Sequence, residues 1–99
     1  MERIFNRGEF VLHFKHEMNF DNNPLTKYLY KILCVAINAN NNSTGEMAVV
    51  YMNILTGKVY YRDYDEFISE VNHKQYPMVK QKYRFARCNA LGKIINEGE

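Results

Sequence analysis

The sequence predicts a mostly β fold, a small rolled barrel of about five antiparallel strands with one short helix before the last strand. Two observations carry this. Short apolar and β-branched runs alternate with turn-rich segments, and no stretch is long enough to be the crossover helix that a parallel sheet requires. In addition, Glu46–Phe67, EMAVVYMNILTGKVYYRDYDEF, reads as a long hairpin running straight into a capped helical turn. Closing the sheet would remove the edges that so apolar a hairpin otherwise offers to aggregation.

The elements follow in order. Phe10 to Phe14 opens as a strand after Gly8. Phe20 to Thr26, FDNNPLT, is a turn-rich insertion, because Asn22, Asn23 and Pro24 favour loops. Tyr28 to Ala36 alternates at first and is wholly apolar from Leu33 to Ile37, as a strand is when it passes into a buried stretch. Asn38 to Gly45 is a polar loop. The hairpin strands are Glu46 to Leu55 and Lys58 to Arg62, with Gly57 suited to the left-handed conformation of a tight turn. Asn53 is placed to accept bonds from backbone amides two or three residues on. Asp63 with Glu66 makes an acidic capping box, and Phe67, Ile68 and Val71 give about two turns of helix one apolar face. Residues 72–81 are irregular around Pro77. Lys82 to Cys88 closes the sheet, with Tyr83, Phe85 and Arg87 on one side and Arg84, Ala86 and Cys88 on the other. Residues 89–99 carry no clear pattern. Assembled, these elements make an SH3-like barrel.

Ninety-nine residues leave room for a single domain with a core over about 8–88, 46% apolar and 24% charged, the balance of a folded globular chain. Apolar runs such as Ile32–Ile37 and Met47–Met52 fall far short of the roughly 20 residues a bilayer crossing needs. The beginning of the chain carries charges where a signal peptide would be apolar, so no membrane partner and a cytoplasmic location are expected. Cys34 and Cys88 lack CxxC spacing and read as two packed, reduced thiols.

Charge is uneven. Residues 1–70 hold seven Lys and Arg against nine Asp and Glu, whereas Val71 to Lys93 holds six basic residues and no acidic one. Lys74, Lys80, Lys82 and Arg87, interleaved with rings such as Tyr83, make a candidate nucleic-acid surface, lysines for phosphates and rings for stacking. A solvated strand whose rings face the core accounts for the same pattern.

Several short motifs occur together: Gly8, then His13-Phe14-Lys15; Val35-Ala36; Glu46 before Val49-Val50-Tyr51; Gly57; Tyr60-Tyr61-Arg62; Phe67; and Arg84-Phe85. In this pattern the chain resembles the domain-of-unknown-function family 1653, small bacterial proteins, from Gly8 to Phe85. It departs in two places, with Asp63 where that family usually has proline and with the FDNNPLT insertion. The resemblance implies an SH3-type roll and no established activity.

The matching polar residues His13, Lys15, Glu46, Arg62 and Arg84, with Tyr51, form a candidate anion or ligand site. Either an arginine pairs internally with Glu46 and fixes strand register, the usual fate of arginines on strands, or both present forked donors to a carboxylate or phosphate.

No catalytic set is found. Asp63 and Glu66 are explained as capping groups, Asp65 and Glu70 as a solvent face, and no serine stands in a nucleophile elbow. His13, His16 and His73 lack the ligand spacing of a metal site, and no cofactor is implied. Two functions remain: a non-enzymatic binding module for nucleic acid or another polyanion, or a protein interaction or self-association domain using a tyrosine-rich barrel face.

Overall fold

The computed structural model describes residues 3–18, 27–40 and 46–95. Five strands form one antiparallel sheet: β1 (Phe10–His13), β2 (Leu29–Ile37), β3 (Met47–Asn53), β4 (Val59–Asp63) and β5 (Phe85–Cys88), in the spatial order β4-β3-β2-β1-β5. A single helical turn, α1 (Tyr64–Phe67), follows β4. These are the expected five strands and one short helix. A 3-10 turn at Phe14–Met18 was not expected, since Phe14 continues the strand pattern. The chain turns there because the His13 ring accepts the Lys15 backbone N–H at 3.1 Å.

The hairpin follows the sequence closely. Tyr51 faces Tyr60 and Val49 faces Arg62 across β3 and β4. Asn53 Oδ1 accepts from the amides of Leu55 and Thr56, each at 3.0 Å, while its Nδ2 donates to the Lys27 carbonyl at 2.9 Å. Gly57 has φ +74°, a conformation that side chains with a Cβ rarely adopt. Each feature of this tip is local, which is why the sequence reveals it.

The sheet does not close into the expected barrel; β4 and β5 are its edges. The free edge of β5 is already engaged. The chain turns at Asn89 and returns along the free edge of β5, where Ile94 bridges Cys88 and the Ile95 amide donates to the Arg87 carbonyl at 2.8 Å. On the inner face of the sheet, Phe67 stacks face to face on Phe85, with centroids 4.2 Å apart and both rings fully buried. Val11, Ile32, Val49, Tyr51, Phe5 and Tyr64 complete this core on the inner face. Leu12, Leu29 and Cys88 make a smaller cluster behind β1, and Phe14, Val71 and Val79 make a third.

Three further expectations change. The helix has one turn, and Asp63 at its N-cap position makes no side-chain capping bond. Asp63 is still a β4 residue opposite Ala48, with ψ 139°, and its side chain follows the strand. Cys34 is exposed rather than packed, because a register shift between Ile32 and Cys34 turns it away from the core face. The last strand begins at Phe85 rather than Lys82. Glu17 accepts from the amides of Lys80 (2.9 Å) and Gln81 (2.7 Å), and the buried Gln81 Nε2 donates to the carbonyls of Leu12 and Tyr83. These bonds hold the approach to β5 off the ladder. The FDNNPLT insertion and most of the asparagine loop lie outside the described residues. Among those described, no helix is long and apolar enough to cross a membrane.

Candidate anion-binding cleft

Four of the six candidate site residues come together. His13 ends β1, Lys15 lies on the 3-10 turn, Arg62 is on β4, and Arg84 immediately precedes β5. They line a cleft of about 220 Å³ between the two sheet edges, bounded on the remaining side by Asn72, Gln75 and Tyr76. The failure to close the barrel thus creates the opening in which these side chains meet.

The two arginines differ in how they are held. Arg62 donates through Nε to the buried Tyr51 hydroxyl at 3.3 Å and pairs with Glu66 at 2.5 Å, with its guanidinium carbon 5.7 Å from the centroid of the Phe85 ring. Tyr51 therefore positions Arg62 from below. Arg84 is fixed through its backbone: its amide donates to the Ser69 carbonyl at 2.9 Å, and its carbonyl accepts from the Phe14 amide at 3.0 Å. Its Nε reaches Ser69 Oγ at 3.5 Å, and among the described residues no carboxylate pairs with Arg84 or with Lys15. Forked guanidinium donors without an acceptor suit an oxyanion.

His13 supplies a neutral group. Its ring stacks on Phe14 (4.6 Å) and meets Phe85 edge-on (4.9 Å). Burial, followed by the positive charges of Lys15, Arg62, Arg84 and His16, lowers its pKa to about 3. Since Nδ1 accepts the Lys15 amide, the ring proton belongs on Nε2.

Glu46 does not join the cluster. It is exposed and lines a separate, larger cavity of about 470 Å³ with Asp63, Asp65 and Glu66. Neither arginine pairs with it. The i, i+4 spacing from the end of β4 into α1 delivers Glu66 to Arg62 instead. Among the described residues no group of three or more His, Cys, Asp or Glu is placed to hold a metal.

The basic segment divides. Lys74, Lys80 and Lys82 are exposed. Tyr83 is half-buried, and the Arg3 guanidinium lies 3.7 Å from the centroid of its ring while donating to the Ile68 and Phe85 carbonyls. Arg87 pairs with Glu9, donates to the Ile4 carbonyl and covers the Phe5 ring at 4.3 Å. A stacking ring and a cation from the proposed nucleic-acid surface are thus engaged within the fold. Sequence reasoning did not single out Asn72 or Gln75 for the cleft. Their signal is an Asx turn, in which Asn72 Oδ1 accepts from the amides of Lys74 (3.2 Å) and Gln75 (3.3 Å) and bends the chain over the site.

No curated protein and no solved structure matches the chain. The sequence profile of the family described as "Protein of unknown function (DUF1653)" matches residues 9–87, a span that contains His13, Lys15, Arg62 and Arg84. The chain therefore belongs to the DUF1653 family of proteins of unknown function.

Proposed function

We propose that this protein is a non-enzymatic binding module that takes a compact anionic group into the cleft between β4 and β5. The observation that carries the reading is the convergence of Lys15, Arg62 and Arg84 on one cleft, with no carboxylate partner for Lys15 or Arg84 among the described residues. A non-enzymatic role is favoured because the cleft's histidine, surrounded by cations and lowered to about 3, titrates far below the range in which a general base is effective. Two free cysteines suit a reducing compartment such as the cytosol.

Thermal denaturation in sulfate tests this reading, since a ligand bound only by the native state raises the midpoint by mass action. At matched ionic strength, sulfate should raise the midpoint of the wild-type chain more than chloride does, and Lys15→Gln with Arg84→Gln should shrink that difference to the general stabilising increment that sulfate gives any folded chain. Equal responses of wild type and double variant would refute it.

The exposed apolar residues of edge strand β4, Val59, Tyr60 and Tyr61, favour a second reading as a self-association or protein interaction surface. Sedimentation at rising protein concentration separates the two, because anion binding alone leaves the mass unchanged.

A further inference from the structure

We propose that the cleft selects dianionic oxyanions, with phosphate monoesters as the ligand class, over monoanions such as carboxylates. This rests on the anion-binding reading above and adds a charge and a shape to it.

The charge comes from counting the groups that line the cleft. Lys15, Arg62 and Arg84 contribute three positive charges, and Glu66, bound to Arg62, removes one. Phe14, Asn72, Gln75 and Tyr76 are neutral. The groups facing His13 are Lys15 and His16 on the 3-10 turn, Arg62 on β4 and Arg84 before β5, with the rings of Phe14, Tyr28 and Phe85 around it, so it too stays neutral near pH 7. The cleft therefore holds about two uncompensated positive charges. A carboxylate neutralises one of them and leaves the other partly desolvated, whereas a phosphate monoester dianion neutralises both.

The shape agrees. At about 220 Å³ the cleft is smaller than the roughly 300–1,000 Å³ of pockets that enclose whole small molecules, so it suits a single anionic head group whose remainder stays outside. The lining is rich in donors. With Arg84 Nε turned to Ser69, its two terminal nitrogens remain for two oxygens of one ligand, and Lys15 brings an ammonium from another side.

Nuclear magnetic resonance titrations of the full chain with methyl phosphate, sulfate and acetate, at constant ionic strength, test the proposal. At pH 7.5 methyl phosphate and sulfate should each bind at least tenfold more tightly than acetate. Between pH 7.5 and pH 5.0 the affinity for methyl phosphate should fall about tenfold relative to sulfate, because a phosphomonoester loses its second charge around pH 6 while sulfate keeps both. The ratio to sulfate removes the part of any change in the protein's own charge that acts on both anions alike. Lys15→Gln, an exposed position, should weaken sulfate by a larger factor than acetate. Acetate binding within threefold of sulfate, or a methyl phosphate to sulfate ratio that ignores pH, would overturn the dianion preference while leaving an anion site in place. Failure of all three anions to bind would remove the underlying reading as well.

Discussion

His13 makes the domain acid-sensitive in a defined window. Its folded pKa is about 3 against an ordinary 6.5, through burial first and then the cations of Lys15, Arg62, Arg84 and His16. Below pH 6.5 the unfolded ring takes up a proton that the folded ring refuses until about pH 3, so stability present above 6.5 is lost as the pH falls through this interval. At pH 5 the lag is about 1.5 pH units, which at 1.36 kcal/mol per unit gives an upper figure of about 2 kcal/mol. The ring is partly open to water, whose screening reduces the effect to about 1–2 kcal/mol. For a domain of this size that displaces a urea midpoint by on the order of 1 M. His13→Asn is the informative variant, because Oδ1 can accept the Lys15 amide in place of Nδ1 and does not titrate. It should be less stable than wild type at pH 7.5, having lost the contacts with Phe14 and Phe85, yet lose about 1–2 kcal/mol less between pH 7.5 and 5. Urea denaturation at both pH values, at low ionic strength and without polyvalent anions, reads the difference. Equal losses in the two proteins would refute the reasoning.

Four other outcomes are expected. Asn53→Ala should destabilise by about 2–3 kcal/mol, because it strips a buried group that bonds the amides of Leu55 and Thr56 and the Lys27 carbonyl. By the same measurement Asp63→Ala should stay within about 0.5 kcal/mol, since that carboxylate caps nothing. Gly57→Ala should lower stability by about 1 kcal/mol through its positive φ alone, there being open space around the added Cβ. Maleimide at neutral pH, followed by mass spectrometry, should label the exposed Cys34 in the folded protein. Cys88, buried and with its thiol pushed up to about 11, should react only after denaturation.

What the sequence revealed and what it hid divide along the range of the interactions. The turn of the β3–β4 hairpin was legible because Asn53 and Gly57 act on neighbours two to four positions away. The strands, however, end at Asn53 and begin at Val59 rather than at Leu55 and Lys58, since Asn53 already bonds the amides of the turn. His13, Lys15, Arg62 and Arg84 were legible as candidates, and their meeting in one cleft was among the outcomes foreseen. The partner of Arg62 was not, although Glu66 lies only four residues on, because Glu66 had been assigned to a capping box that Asp63 does not form. Longer-range features left no local trace. The return of residues 94–95 along β5, the Arg3 guanidinium over Tyr83 and the Phe67–Phe85 stack join positions distant in sequence or depend on a turn with no strong composition. The return along β5 takes up the edge that a closed barrel would pair.

The central claim, that the gap between β4 and β5 is an anion site, meets its most direct test in side-chain nuclear magnetic resonance of the arginines during a sulfate titration at low ionic strength. The account predicts one saturable isotherm shared by the Nε resonances of Arg62 and Arg84, the ring of His13 and the amides of Lys15, Asn72 and Tyr76. Lys74, Lys80 and Lys82 should follow only the weak, non-saturating drift of exposed charges. Saturable shifts at those three lysines, with the cleft resonances unmoved, would contradict it.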